Sequence, residues 1–100
     1  MALLDITEYS ELAVTRRGNP VMSGQEPSLV QQQVSVGAGS VQSAAFNEST
    51  EFVRIHSDVA CRITFGASPT ATTQSMRLSA GGTEFFGVQP GHKVAVIATT

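Results

Sequence analysis

The side chains best suited to metal binding or nucleophilic attack in this sequence are Cys61, His56 and His92. A structural zinc site takes a tetrahedral set of Cys and His ligands, and neither CxxC nor HxxxH spacing links these residues. Cys61 alternates with Val59, Ile63 and Phe65, so its thiol is expected in an apolar layer, where burial disfavours the thiolate. A Cys–His nucleophile pair with His56 or His92 is therefore not expected. His56 precedes Ser57-Asp58 and His92 follows Pro90-Gly91; both read as solvated residues beside turns. Glu48 and Glu51 are close in sequence, but hydrolysis of a glycosidic bond needs two carboxylates facing each other across a cleft. Here one sits in a loop and the other starts a strand. Gly37-Ala38-Gly39-Ser40 lacks the lysine of a P-loop and precedes a strand rather than a helix, so no phosphate cradle follows. No catalytic residue, metal site or cofactor is expected.

The composition agrees with a binding or assembling protein. The chain has 100 residues, 41% of them hydrophobic and 14% charged, which fits one globular domain and is too apolar for a disordered segment. With so few charges, Ser, Thr, Gln, Ala and Gly must cover much of the surface, and such a surface costs little to desolvate on docking. A net charge of −2 with only 6 basic residues argues against nucleic-acid binding by phosphate neutralisation. The one basic pair, Arg16-Arg17, adjoins Gly18-Asn19-Pro20 and reads as a turn. The single cysteine excludes an intrachain disulfide, leaving stability to the core. Leu3-Leu4 meets Asp5 before an apolar run develops, so neither a secretory signal nor a membrane span is expected and folding in a cytoplasm is. The sequon Asn47-Glu48-Ser49 then reads as chance.

The elements that carry these residues look like strands. Val, Ile, Thr and Phe recur in short runs between Gly, Pro, Ser and Asn clusters. Candidate strands are Glu11–Arg16, Ser28–Val36, Val41–Phe46, Glu51–His56, Val59–Phe65, Gln74–Ser79, Thr83–Val88 and His92–Ala98. Val59, Cys61, Ile63 and Phe65 make one wholly apolar face; Val30, Val34 and Val36 make another, interrupted by Gln32. This period of two belongs to a sheet with one face on a core. Ser57-Asp58 is expected to close a tight hairpin between its flanking strands. Ala80-Gly81-Gly82 and Pro90-Gly91 are expected to supply further reversals. The fold expected is all-β: a single antiparallel β-sandwich or jelly-roll-like barrel with a loosely structured N-terminal arm. Residues 1–27 form that arm and 28–100 the body. Within the arm, Leu3, Leu4, Ile6, Tyr9 and Leu12 offer a partial helical face, enough for a short turn.

A resemblance adds to this reading. Glu51-Phe52-Val53-Arg54-Ile55-His56, Asp58 through Gly66, Ser68-Pro69-Thr70-Ala71, Met76-Arg77-Leu78, Thr83 through Val88 and Pro90 through Ile97 are similar to small virion-associated proteins of tailed bacteriophages and prophages. The similarity covers just over half the chain and lies in strand and turn residues. It implies a β-sandwich structural protein located in the virion that decorates or cements the capsid exterior, with the major capsid protein or other virion subunits as partners. Capsid symmetry then implies a homo-oligomer, dimer or trimer. Residues near Val21 to Leu29, together with exposed edge-strand backbone, are expected at the contact, with Val21, Met22 and Leu29 as its apolar side chains. Phe85-Phe86 places one ring on each face of its strand, and Phe86 joins the expected contact residues, although a second sheet or another chain would let both rings pack. A tail connector, baseplate or fibre-associated protein stays open as an alternative. A carbohydrate-binding module stands behind these, because the chain has no Trp and Tyr9 alone among tyrosines.

Overall fold

A computed structural model describes residues 2–99, and among them the chain builds ten strands. They are β1 (Leu3–Tyr9), β2 (Leu12–Val14), β3 (Pro20–Gly24), β4 (Val30–Ser35) and β5 (Val41–Gln42). β6 (Phe52–Ser57), β7 (Cys61–Gly66), β8 (Met76–Leu78), β9 (Thr83–Gly87) and β10 (Lys93–Ala98) complete the set. Two four-stranded antiparallel sheets, in the orders β4-β1-β6-β9 and β5-β10-β7-β8, pack face to face. A separate two-stranded ribbon, β2-β3, projects from them. The all-β sandwich expected from the alternating runs is the fold observed. Met1 and Thr100, the outer ends of the expected arm and body, lie outside the described residues.

From β4 onward the chain changes sheet at almost every step, staying in one sheet only between β7 and β8. This is jelly-roll connectivity, with β1 at the start of the chain completing the first sheet. The expected hairpin at Ser57-Asp58 is therefore corrected: β6 and β7 belong to different sheets and do not pair. Ser57 turns the corner, its Oγ donating to Val59 O and accepting from Val59 N. Asp58 N donates to Leu3 O at 3.2 Å, which ties the corner to β1. Such a local side-chain bond gives the backbone an alternative to a ladder. Pro90-Gly91 does form a tight turn, His92 N donating to Gln89 O at 3.1 Å, but it too carries the chain from one sheet to the other.

The inner faces meet in one core. Leu4, Ile6, Val34, Val53 and Ile55 come from the first sheet, and Cys61, Ile63, Leu78, Val94 and Val96 from the second. Phe46 from the β5–β6 connection joins them. The expectation that Leu3–Leu12 forms a turn within a loose arm is corrected as well. Leu3–Tyr9 is an interior strand, pairing over its length with β4 on one side and β6 on the other. Leu4 and Ile6 are buried in the core, so the body cannot be built without the first nine residues. Only the stretch carrying β2 and β3 stands apart.

Candidate interaction surface

The β2–β3 ribbon is a hairpin fixed at its base and free along its length. At the tip, Gly18 N donates to Thr15 O at 2.9 Å, Thr15 N donates to Asn19 O at 2.8 Å, and Gly18 takes a φ of 84°. This is a three-residue reversal with a left-handed residue that glycine fills without strain. Thr15 Oγ1 also accepts from the backbone N–H groups of Arg17 and Asn19. Arg16-Arg17 thus sits in a turn as expected, and that turn caps a hairpin.

At the base, Gln25 N donates to Glu11 O at 3.0 Å and Leu29 N to Glu8 O at 2.8 Å. The Tyr9 ring is the hinge plate. It is nearly covered, it stacks on Phe52 with centroids 5.4 Å apart and planes 20° apart, and its hydroxyl donates to Glu26 Oε2 at 2.7 Å. Burial, followed by the bond to Glu26 and that carboxylate's charge, raises the Tyr9 pKa above its ordinary 10.0. Gly24 lies flat against the ring: a Cβ there would fall 2.2 Å from the nearest ring carbon. Any side chain at this position would push hairpin and body apart.

Beyond this anchor the ribbon is apolar and open. Leu12, Val14, Val21, Met22 and nearby Leu29 are exposed large hydrophobics, Met22 at 88% and Val14 at 57%. Residues 12–24 contain Arg16 and Arg17 and no carboxylate, so a basic tip ends an apolar ribbon on a chain whose net charge is −2. The expected contact residues Val21 and Met22 lie on β3, and Leu29 lies where the ribbon rejoins the body. Phe86 differs. It faces inward from β9, half-buried against the core, with its ring 5.1 Å from that of Phe65. The exposed ring of the pair is Phe85. The β9 register explains the exchange: Phe86 is opposite the inward Val53, whereas Phe85 is opposite the outward Arg54.

The groups with chemical potential are dispersed. Cys61 is fully buried in the core, its thiol donating to Ser57 Oγ at 3.4 Å, and burial pushes its pKa up. His56 projects from the opposite face of its sheet, with Nδ1 2.8 Å from Thr83 Oγ1. Among the described residues no group of three or more His, Cys, Asp or Glu side chains converges as a metal site would require.

One buried carboxylate escaped the reading of motifs. Glu8 is fully buried on the inner face of β1. Its Oε1 accepts from Asn47 N at 2.8 Å and Thr50 Oγ1 at 2.7 Å, and its Oε2 accepts from Gln32 Nε2 at 3.2 Å. These neutral donors close the site to solvent, so it works as a clamp on the β5–β6 connection. The signal for it in the sequence is the polar residue at an inward position of β1 and again, as Gln32, at an inward position of β4.

Comparison with known proteins adds no identity: no family model matches the chain, and neither a curated protein nor a solved structure matches it.

Proposed function

We propose that the chain is a non-enzymatic structural protein of a tailed-phage virion, a decoration or cement subunit on the outside of the head. The β2–β3 ribbon would dock it onto the major capsid protein or a neighbouring virion subunit. The observation that carries this is the exposed apolar hairpin Leu12–Gly24, rigidly anchored through Tyr9 and Gly24 to a self-sufficient sandwich. Solitary exposed hydrophobics are ordinary, but Leu12, Val14, Val21 and Met22 together on one short ribbon cost solubility unless a partner covers them. A small sandwich whose core closes by itself also suits a subunit that must stay folded before it docks. The similarity of Glu51–Ile97 to virion-associated proteins supplies the setting, and particle symmetry favours a homodimer or homotrimer at a symmetry axis.

The test is quantitative mass spectrometry of purified virions, with labelled electron microscopy to locate the protein. Hundreds of copies distributed over the head would support decoration. A handful at the tail would replace it with a connector or fibre role, and absence from particles would discard the virion reading.

A further inference from the structure

The two outer faces of the sandwich differ. Over the β5-β10-β7-β8 sheet lies the β7–β8 connection: Gln42 Nε2 donates to Pro69 O at 2.8 Å, Ala71 N to Ser40 Oγ at 2.8 Å, and Arg62 Nη1 to Ser75 O at 2.9 Å. Ala95, which alternates with the inward Val94 and Val96, is fully buried beneath that cover. The outer face of β4-β1-β6-β9 opens to solvent as a shallow trough of about 600 Å³, lined by Asp5, Thr7, Gln31, Gln33 and Arg54.

Strand register arranges this face in two rows. Gln31, Thr7, Arg54 and Phe85 are successive cross-strand neighbours, and Gln33, Asp5, His56 and Thr83 form the row beside them. With strands ~4.8 Å apart and same-face residues ~6.8 Å apart along a strand, the array measures about 14 Å by 7 Å. At the end of the first row the Phe85 ring is 45% exposed. Phe52, with its centroid 6.1 Å away, buttresses that ring and in turn stacks on Tyr9.

We propose that this trough binds a neutral oligosaccharide. Amides, a hydroxyl, a carboxylate and a guanidinium offer donors and acceptors side by side, which is what adjacent sugar hydroxyls require. Asp5 and Arg54 offset each other, so the field selects neither a polyanion nor a polycation. The exposed Phe85 ring supplies an apolar plate for the C–H face of a sugar ring, while the polar rows fix its orientation. The array is long enough for several linked rings. The site adjoins the ribbon's anchor, since Tyr9, on which Gly24 packs, shares the outer face of β1 with Asp5 and Thr7 and stacks on Phe52 beside Phe85.

The experiment is NMR titration of the isotope-labelled full chain with maltotriose, cellotriose, triacetylchitotriose and mannotriose, and with a heparin-derived tetrasaccharide as the charged comparison. Saturable amide shifts from at least one neutral sugar, centred on Asp5, Thr7, Gln33, Arg54 and Phe85, are expected. Gln33→Ala and Phe85→Ala should each weaken that binding by about tenfold. Gln33→Ala, at an exposed position, should leave the urea unfolding midpoint in place, whereas loss of the Phe85–Phe52 contact should lower it while the variant stays folded. The proposal falls if no neutral sugar shifts these amides at millimolar concentration, if both variants bind as the parent does, or if only the sulfated sugar binds. Because purified protein is used, failure here leaves virion incorporation to its own measurement.

Discussion

Gln32 of β4 donates its side-chain amide to the carboxylate of Glu8 on β1 at 3.2 Å, so two polar residues at inward positions of the first sheet satisfy one another. Gln32 Oε1 also accepts from Ala44 N at 3.0 Å, while Glu8 takes Asn47 N and Thr50 Oγ1. Four segments are thereby held together: β1, β4 and both ends of the connection that leads from the second sheet back to the first. A buried carboxylate is costly unless hydrogen bonds replace its water; three donors do so here.

Removing the carboxylate should therefore be expensive. Glu8→Ala leaves the Thr50 hydroxyl and the Asn47 N–H without their acceptor and opens a cavity, and a loss of about 3 kcal/mol is expected. Glu8→Gln keeps the shape and one acceptor oxygen. Its new NH₂ group, however, meets the NH₂ of Gln32, and a smaller loss of about 1 kcal/mol follows. Urea unfolding of both variants checks the ranking. Equal stability of Glu8→Ala and the parent would show that the clamp carries no net stability.

The same pair explains what the sequence made legible. Strands with clean alternation, such as Cys61–Gly66 and Lys93–Ala98, follow their pattern because their inward positions are all apolar or small. β1 was hidden because Leu3 and Leu4 are both apolar and Glu8 stands where a hydrophobe belongs, which blurs a period of two into a partial helical one. β3 was hidden because Pro20, Val21 and Met22 face solvent on a ribbon, where no core imposes alternation. The hairpin expected at Ser57-Asp58 failed for a different reason. A short connection between alternating strands looks the same in sequence whether the next strand pairs or crosses to the opposite sheet. Val21, Met22 and Leu29 were reachable as apolar residues among turn formers. Choosing Phe85 over Phe86 as the exposed ring required the register of β9 against β6.

Gly24 should tolerate no side chain. The Cβ of Gly24→Ala would lie 2.2 Å from the Tyr9 ring, within hard repulsion, so either the ring or the ribbon must shift. Overpacking of this kind costs about 1–3 kcal/mol. With Tyr9 the sole tyrosine and no tryptophan present, intrinsic fluorescence reports the displacement directly. In a Tyr9→Ala background the same substitution should cost less, since the clash is gone. Additive losses would show that Gly24 matters for another reason.

Tyr9 should also make stability depend on alkaline pH. Burial and the Glu26 carboxylate raise its folded pKa above 10.0, so the neutral phenol is favoured in the folded state. That contribution is fully present below pH 10.0 and is lost as pH rises through the higher folded value. Absorbance at phenolate wavelengths should give a titration midpoint above 10.0 in the native protein. Glu26→Gln should lower the midpoint, because it removes the carboxylate's bond and charge while desolvation, the largest cause, and the opposing Arg54 charge persist. A native midpoint at or below that of the urea-unfolded chain would contradict the buried, bonded ring.

Docking through the ribbon is best tested by point changes, because deleting residues 1–27 would remove β1 from the interior of its sheet and unfold the body. Val14→Ser with Met22→Ser alters two exposed side chains, and surface changes of this kind usually move stability by less than about 0.5 kcal/mol. If the ribbon is the docking element, loss of this apolar area should weaken attachment to capsids by about tenfold or more, whereas Met22→Leu should preserve it. Co-sedimentation with capsids lacking the protein measures both. Undiminished binding by the double variant, with folding intact, would move the contact off the ribbon and onto the sandwich itself.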